Sequence, residues 1–400
     1  MERRIYLDHA ATTATNEQAV KKMLPYYTEV YGNPNSQHFF GRDAAKAVDE
    51  ARDTIAKMIG ALPGEIYFTS GGTEADNWAL KGIAYAHKDK GKHIITTKIE
   101  HAAMLSTCKQ LEKEGFEVTY LDVDKDGVVD LEQLKNSIRP DTVLVSCMYA
   151  NNEVGTIEPV EEIAEICKER KVYFFTDAVQ AMPCVNINVK KLGVDLMSFS
   201  SHKFNGPKGV GVLYVRTGVK IDSIIIGGHQ ERTKRGGTTN VPGVVGMAEA
   251  LRINRLTLDQ NNAYVKSLRD RFVERVEKEI PYVKYNGSRT SRVPSNADFS
   301  FEYIEGESIL FSLDLAGIAV SSGSACSSGS LEPSHVLLAI GVPVELAHGS
   351  IRFSFGKENT MEEVDYVVDS LKSTVERLRN MSPLYKTNKT LINKNTKVSL

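Results

Sequence analysis

Short apolar segments with the composition of β-strands alternate with amphipathic helical segments from about Asn16 to Arg255. One such unit runs through Thr142–Tyr149, Val160–Arg170 and Val172–Thr176. Strands that alternate with helices pair in parallel, because each helix returns the chain to the same edge of the sheet. The alternation therefore predicts an α/β fold with a large, doubly wound, mostly parallel sheet and helices on both of its faces.

The pattern changes after Leu256, where a long charged helix over Asn261–Glu279 precedes short strands such as Ala297–Tyr303 and Ser350–Phe355. We therefore predict a large domain over residues 16–255 and a smaller α+β domain over residues 1–15 and 256–382. Residues 383–400 are rich in Lys, Asn and Thr and poor in aromatic side chains. That composition is typical of a disordered tail.

One lysine and one aspartate carry the clearest chemical signal. Asp177 ends the apolar segment that begins at Tyr173, and Lys203 follows in a Ser-Ser-His-Lys stretch. Pyridoxal phosphate needs such a pair: an amine that holds its aldehyde as a Schiff base, and a carboxylate that keeps its pyridine nitrogen protonated. Gln180 faces the same way as Asp177 if a helix begins there. Each residue also has a simpler explanation, because lysines are usually solvated and an Asp after a strand often caps a helix.

The segment Thr69–Glu74 predicts a phosphate site. It lies between a strand at Glu65–Phe68 and a helical run over Ala75–Ala86. Glycines followed by a hydroxyl residue at a helix start, here Gly72 and Thr73, offer backbone N–H groups to an anion. The alternative is that Thr73 only caps the helix and binds nothing. Further candidates for phosphate contact are Ser200 and His202, which flank the lysine. The alternative is that both are structural residues whose hydrogen bonds are satisfied within the protein.

Two other polar segments follow strands at the same predicted edge. His101 lies between a strand over Thr96–Glu100 and a helix that starts at Ala102, and Asn152 lies in Asn151–Gly155 after another strand. Doubly wound sheets bind ligands at the carboxyl ends of their strands. A lone histidine in such a place is more often structural, but an imidazole here can stack on a cofactor ring and carry protons.

The chain resembles the cysteine desulfurases of the NifS/IscS type, which are pyridoxal phosphate enzymes of the class V aminotransferase family. The similarity is carried by ten stretches that occur in order along the chain. They are Tyr6–Thr13, Tyr31–Ser36, Gly71–Glu74, Glu100–His101, Asn151–Gly155, Asp177–Gln180, Ser200–Lys203, Arg235–Thr238, Ser321–Ser330 and Ser350–Phe353.

The resemblance implies the aspartate-aminotransferase-like fold (fold type I) and a role for each matching residue. Lys203 would form the Schiff base, Asp177 would hold the pyridinium nitrogen and Gln180 would contact the ring hydroxyl. Phosphate contacts are implied for Thr73, Ser200 and His202, and for Thr238 toward the cofactor of a neighbouring subunit, so a homodimer is expected. Substrate contacts are implied for Asn33, Asn152 and Arg352, with Arg352 on the substrate carboxylate.

Cys326 lies in a Gly- and Ser-rich stretch, residues 321–330, that has two interpretations. Such composition is common in plain linkers. It also suits a thiol that approaches a bound substrate, takes its sulfur and passes it on. On the second interpretation L-cysteine gives L-alanine and a persulfide on Cys326, with Lys203 and His101 as proton carriers. The sulfur would then go to an iron-sulfur scaffold protein or another acceptor.

The other cysteines lie in apolar or helical runs and are expected to be buried. They are Cys108, Cys147, Cys167 and Cys184.

Composition limits the other classes of function. A net charge of −2 gives no basic surface for nucleic acid, and no apolar run approaches the length of a membrane span. Five cysteines without CxxC spacing argue against a disulfide framework or a cysteine-zinc site. Together with a start that has no apolar signal core, they predict a cytoplasmic protein.

Alternatives to cysteine desulfuration stay open at this point. A selenocysteine lyase or an aminotransferase would use the same cofactor, and a scaffold protein would keep the fold without it. Asp122–Gly127 has the opening of a calcium loop, but Gln133 stands where that loop needs glutamate, so metal binding is not expected.

Overall fold

The computed structural model describes residues 4–322, 332–383 and 385–386. Within them the strands are β1 (Ile5–Tyr6), β2 (Ile66–Thr69), β3 (His93–Thr97), β4 (Glu117–Leu121), β5 (Thr142–Ser146), β6 (Tyr173–Asp177), β7 (Leu196–Ser200), β8 (Gly211–Val215), β9 (Val283–Tyr285), β10 (Asn296–Phe301), β11 (Ile318–Ala319) and β12 (Ser350–Ser354). The helices are α1 (Glu17–Met23), α2 (Pro25–Thr28), α3 (Phe39–Ile59), α4 (Gly72–His87), α5 (Ala102–Lys113), α6 (Leu131–Ser137), α7 (Val160–Arg170), α8 (Val189–Leu192), α9 (Val241–Glu279), α10 (Gly306–Leu315), α11 (His335–Ala339), α12 (Val344–Ala347) and α13 (Met361–Met381).

The large sheet has seven strands in the order β2-β8-β7-β6-β5-β3-β4. Neighbouring strands are parallel except where β8 pairs with β2 and β7, which it meets antiparallel. The predicted mostly parallel sheet is therefore confirmed. Because β3, β5, β6 and β7 run in one direction, the segments that follow them emerge at one edge of the sheet.

Side chains of the central strands alternate between two apolar cores. Phe174 and Met197 pack into the core on one face, whereas Phe175 and Leu196 pack into the core on the other. Successive residues of a strand point to opposite faces, so a strand covered by helices on both sides must be apolar at every position. This is why these segments appear as continuous apolar runs in the sequence.

A second sheet, β12-β10-β9, is antiparallel and packs its aromatic residues against the long helix α9. Phe272 of α9 lies with its ring centroid 4.5 Å from that of Phe353. The first half of α9, with Met247 and Leu251, instead belongs to the core of the large sheet. One helix therefore spans both cores.

The sequence predicted only the second half of this helix, Asn261–Glu279, and its true start at Val241 was missed. Pro242 and Gly243 favour a loop by composition, but Pro is tolerated in a first helical turn, and the side chain of Asn240 caps the helix by accepting the N–H of Gly243. The predicted domain boundary between Arg255 and Leu256 falls inside α9, so that division stays a prediction.

The N-terminal arm joins the second sheet, with β1 parallel to β11 and Asp8 bridging to Ser354. In the part of the chain described above, no helix is long and apolar enough to cross a membrane. Most of the predicted tail, residues 387–400, lies outside the described residues.

Candidate active site

A cavity of about 450 Å³ opens at the carboxyl ends of the parallel strands. Asp177 is the last residue of β6 and Ser200 is the last residue of β7. His101 and Asn152 come from the segments that follow β3 and β5. Sequence-predicted residues that line this cavity are Gly72, Thr73, His101, Asn152, Asp177, Gln180, Ser200, His202, Lys203 and Arg352.

Lys203 lies in a short 3₁₀ turn, residues 201–203, that directly follows β7. Its Nζ donates hydrogen bonds to the carbonyl oxygens of Ala10, at 2.5 Å, and Ala11, at 2.9 Å. Both acceptors belong to the N-terminal arm. The N-terminal arm therefore positions the Lys203 amine in the cavity.

Asp177 faces this cavity as a buried carboxylate, with the N–H of Val179 donating to its Oδ1 at 2.8 Å. Burial raises the pKa of Asp177, and the Val179 hydrogen bond and the electrostatic influence of His101 and Lys203 oppose that rise. A further cation next to the carboxylate would stabilise its ionised form. A protonated pyridine nitrogen is such a cation.

Gln180 reaches the cavity from a series of turns, so the helix considered after Asp177 is absent. The N–H groups of Ala181 and Met182 both donate to the carbonyl of Ala178, and a second turn that contains Pro183 follows directly. Proline inside a helix removes a hydrogen bond and clashes with the preceding turn, which explains why no regular helix forms. The Gln180 side chain donates to the Ala10 carbonyl at 2.8 Å, the same oxygen that Lys203 contacts.

The N-terminus of α4 presents Gly72 and Thr73 to the cavity. Gly71 is the N-cap and no side chain caps the helix, so the alternative in which Thr73 is the cap is wrong. The first N–H groups of a helix have no partner within it, which makes this end a donor site for an anion. Glu74 accepts the N–H of Ser70 and pairs with Arg235, so these two contacts hold the loop before the helix in place.

His202 stands near this helix end as a neutral imidazole. Its Nδ1 lies 3.1 Å from Oγ1 of Thr12. Burial, with the positive charges of Lys203 and Lys208, lowers the pKa of His202 to about 4. A neutral imidazole still offers one N–H to a phosphate oxygen.

His101 has a structural function and also lines the cavity, while its contact with a cofactor stays a prediction. It is the N-cap of α5, because its Nδ1 accepts the N–H of Ala103 at 3.2 Å. Burial lowers the pKa of His101, with a contribution from Lys203, while Asp177 acts in the opposite sense. A neutral ring with an accepting Nδ1 carries its proton on Nε2.

Arg352 enters from β12 of the second sheet and is only 3% exposed. Its Nη1 donates to the carbonyl of Asn152 at 2.8 Å, and its Nη2 donates to Oδ1 of Asp8 at 2.9 Å. The site therefore combines residues of the large sheet, the second sheet and the N-terminal arm.

Two ionisable residues of the cavity were missed as site residues from the sequence. Asp8 pairs with Arg352 although 344 residues separate them, and no local pattern signals that contact. Asp76 is buried and accepts the Ser198 hydroxyl at 2.6 Å, and burial with the charge of Asp177 raises its pKa. Asp76 lies four residues after Gly72 on the same face of α4, so helical spacing could have found it.

Two predicted residues within the described ranges do not line the cavity. Asn33 is exposed before α3, where its Oδ1 accepts the N–H of Asn35. Thr238 is exposed in the segment before α9. Cys326 lies outside the described residues, but Ser321, a few positions before it, lines the cavity and exchanges backbone hydrogen bonds with Arg352.

A lysine amine, a buried carboxylate and a helix N-terminus thus meet in one cavity. These are the three groups that pyridoxal phosphate requires for its aldehyde, its pyridine nitrogen and its phosphate. The donor set fits this cofactor.

Comparisons with known proteins agree with the chemistry of the site. The model of the family described as aminotransferase class-V matches residues 5–367. A protein of Dictyoglomus turgidum named cysteine desulfurase IscS is 55% identical over 383 residues, covering 96% of this chain and 97% of that protein. A protein of Methanosarcina thermophila with the same name is 54% identical over 380 residues, covering 95% and 94%.

Solved structures show the same relationship. A structure titled NifS-like protein superposes with a TM-score of 0.89 at 41% identity, covering 94% of this chain and 100% of that one. Another, titled SspA in complex with cysteine, has a TM-score of 0.79 at 32% identity, with coverages of 89% and 100%. Because the family match spans most of the chain and relatives are more than half identical along nearly all of it, this protein belongs to the class V aminotransferase family, among the cysteine desulfurases of the NifS/IscS type.

Proposed function

We propose that this protein converts L-cysteine to L-alanine and passes the sulfur to Cys326 as a persulfide. The observation that carries the proposal is the meeting of Lys203, Asp177 and Arg352 in one cavity. An amine and a carboxylate suit the cofactor, and a buried guanidinium suits the carboxylate of an amino acid.

Each cofactor contact is assigned by the chemistry of the side chain. Lys203 would bind the aldehyde carbon through Nζ, Asp177 would bind the pyridine nitrogen and Gln180 would bind the ring hydroxyl. The phosphate would be held by the N-terminus of α4 at Gly72 and Thr73, together with Ser200 and His202. Bound in this way, pyridoxal phosphate supplies the sink for electrons released at the substrate Cα.

The substrate is oriented by Arg352, which binds its carboxylate, with Asn152 and Asn33 as further contacts. Asn152 is already tied to Arg352 through its carbonyl. The ring of His101 would lie against a bound cofactor, and its Nε2 and the Nζ of Lys203 would carry protons during turnover.

Cys326 takes the sulfur. Its thiolate attacks Sγ of the substrate, so a sulfur–sulfur bond forms while the carbon–sulfur bond breaks. The carbon fragment gains protons and leaves as L-alanine. Cys326 keeps the sulfur as a persulfide and is the donor to an acceptor protein, for which we propose an iron-sulfur scaffold or another thiol-bearing acceptor.

We further propose that the enzyme acts as a homodimer in the cytoplasm. Thr238 is exposed and lies outside its own chain's cavity, which supports a contact with the cofactor of a second subunit. The cysteines at positions 108, 147, 167 and 184 are free thiols, which agrees with a reducing compartment.

The central experiment separates the cofactor site from the thiol. Lys203→Ala should abolish alanine formation and remove the cofactor's visible absorption, because the Schiff base is lost. Cys326→Ala should keep that absorption but lose about a thousandfold or more in alanine formation from L-cysteine, the size expected for a missing nucleophile. Cysteine turnover near the wild-type rate in Cys326→Ala would contradict the proposed function while leaving the cofactor assignment intact.

A further inference from the structure

The guanidinium of Arg352 is paired with groups of its own chain. Its Nη2 donates to Asp8, its Nη1 donates to the carbonyl of Asn152, and its buried Nε has no hydrogen-bond partner among the described residues. A carboxylate binds arginine best through two parallel N–H bonds. A substrate carboxylate that binds Nε and Nη2 of Arg352 would therefore compete with Asp8 for Nη2.

Asp8 is fixed at this place independently of Arg352. Its carbonyl accepts the hydroxyl of Tyr6 and the N–H of Ala11, each at 3.0 Å, and its backbone bridges to Ser354. The Asp8 side chain lines the cavity and keeps 20% exposure, whereas that of Arg352 keeps 3%. The carboxylate can therefore lose its arginine and still be hydrated, but the arginine cannot.

Within the described ranges, Asp8 is the one carboxylate in ion-pair contact with Arg352. Two other buried carboxyls influence this arginine electrostatically, but they bond elsewhere: Glu153 accepts the Ser334 hydroxyl and Asp298 accepts Nδ2 of Asn286. Leaving a buried guanidinium unpaired is costly. Asp8 supplies the direct ion pair that offsets much of that cost when no substrate carboxylate is bound.

We propose that Asp8 is an internal competitor for the substrate carboxylate. It occupies Arg352 in the empty site, yields Nη2 to the incoming carboxylate, and recaptures it as the product leaves. Asp8 is thus a residue that sets affinity and release for every α-carboxylate ligand, including L-alanine. This inference rests on the proposed role of Arg352 in binding the substrate.

The test uses Asp8→Asn holoenzyme, in which an uncharged amide replaces the competitor with little change of shape. Asp89→Asn is the matched control, because it removes one exposed carboxylate that makes no ion pair with any residue the structure describes. Propionate binding is measured by calorimetry, and KM is measured for L-cysteine. We expect Asp8→Asn to bind propionate about tenfold more tightly, which corresponds to about 1.4 kcal/mol. KM for L-cysteine should fall by a similar factor, and L-alanine should inhibit more strongly.

Cysteamine supplies the internal comparison because it has the thiol and amine of cysteine but no carboxylate. Its binding should be equal in wild type and Asp8→Asn. Propionate binding that is unchanged or weaker in Asp8→Asn, or an equal gain for cysteamine, would overturn the proposal. If Asp8→Asn does not fold, as judged by thermal melting, Asp8→Ser removes the same charge with a smaller side chain.

The two proposals fail separately. A wild-type enzyme that forms no alanine from L-cysteine contradicts the proposed function. The propionate titration does not depend on turnover, so it tests Asp8 in either case. Arg352→Met should remove propionate binding whether residue 8 is Asp or Asn, which ties the signal to this arginine.

Discussion

Glu100 is a fully buried carboxyl one residue before the cavity histidine His101. Its Oε1 accepts the hydroxyl of Thr97 and the N–H of Met148, and its Oε2 has no partner among the described residues. Burial raises the pKa of Glu100 to about 8, and the charge of Asp177 adds to the effect. The folded protein therefore holds a proton here at neutral pH that the unfolded chain releases near its ordinary value of 4.5.

This difference makes stability depend on pH in a defined direction. The contribution of Glu100 to the free energy of unfolding is fully present below about pH 4.5. It is lost as the pH rises through about 8, because the folded state binds the extra proton. We expect the unfolding free energy of Glu100→Gln to fall less than that of wild type as the pH rises from 5 to 8. Urea unfolding across that range measures the difference. Glu169→Gln, at an exposed position of α7, is the control. A parallel pH profile for wild type and Glu100→Gln would show that Glu100 is ionised in the fold.

At the scale of elements, the phosphate end of the cavity depends on a close approach between the loop before α4 and strand β8. Gly211, the first residue of β8, pairs with Thr69 on one side and Ser200 on the other. A Cβ at Gly211 would lie 2.8 Å from Cα of Gly71, which is too close for any side chain. The glycine therefore allows β8 to support the N-terminus of α4.

Gly211→Ala should accordingly weaken both the fold and the cofactor site. Overpacking of this kind costs about 1–3 kcal/mol of unfolding free energy, and the backbone shift should also raise the dissociation constant for pyridoxal phosphate. Chemical unfolding and cofactor titration measure the two effects. Gly64→Ala is the control, because a Cβ there meets nothing within 4 Å. Unchanged cofactor affinity in a destabilised Gly211→Ala would limit the role of this contact to folding.

The elements also show how far the sequence determines the fold. The alternation of strands and helices along the large sheet could be predicted, because buried parallel strands are apolar throughout and glycine or proline marks the turns between them. The start of α9 could not, since Pro242 and Gly243 favour a loop locally and only packing on the large sheet overrides that preference. In the site, residues at strand ends such as Asp177 were predictable, whereas the contact of Asp8 with Arg352 depends on how the N-terminal arm meets the second sheet.

At the scale of the whole molecule, the segment over residues 27–40 exposes several aromatic side chains. Tyr27, Tyr31 and Phe39 are 58%, 64% and 59% exposed, and Phe40 packs its ring 4.4 Å from that of Phe39. Asn33, a proposed substrate contact, lies within this segment. Exposed clusters of large apolar residues usually mark sites of protein association. The cluster therefore supports a dimer whose second chain completes the site.

Mixing two inactive variants tests that assembly. Lys203→Ala removes the amine but keeps Thr238, and Thr238→Asp keeps the amine but sets a negative charge against the neighbour's phosphate. In a twofold symmetric dimer with shared sites, a hybrid of the two chains contains one site with both residues intact. Equal mixing gives hybrids as half of all dimers, so co-refolded samples should recover about a quarter of wild-type alanine formation.

Each variant alone should stay near zero, and mixing without chain exchange should give no recovery. Sedimentation of the same samples reports whether hybrids can form at all. Two outcomes would contradict the shared site: dimers that exchange chains but regain no activity, or a fully active monomer. A shared site would also mean that activity falls on dilution below the dimer dissociation constant, because Thr238 can bind a phosphate only in its neighbour's cavity.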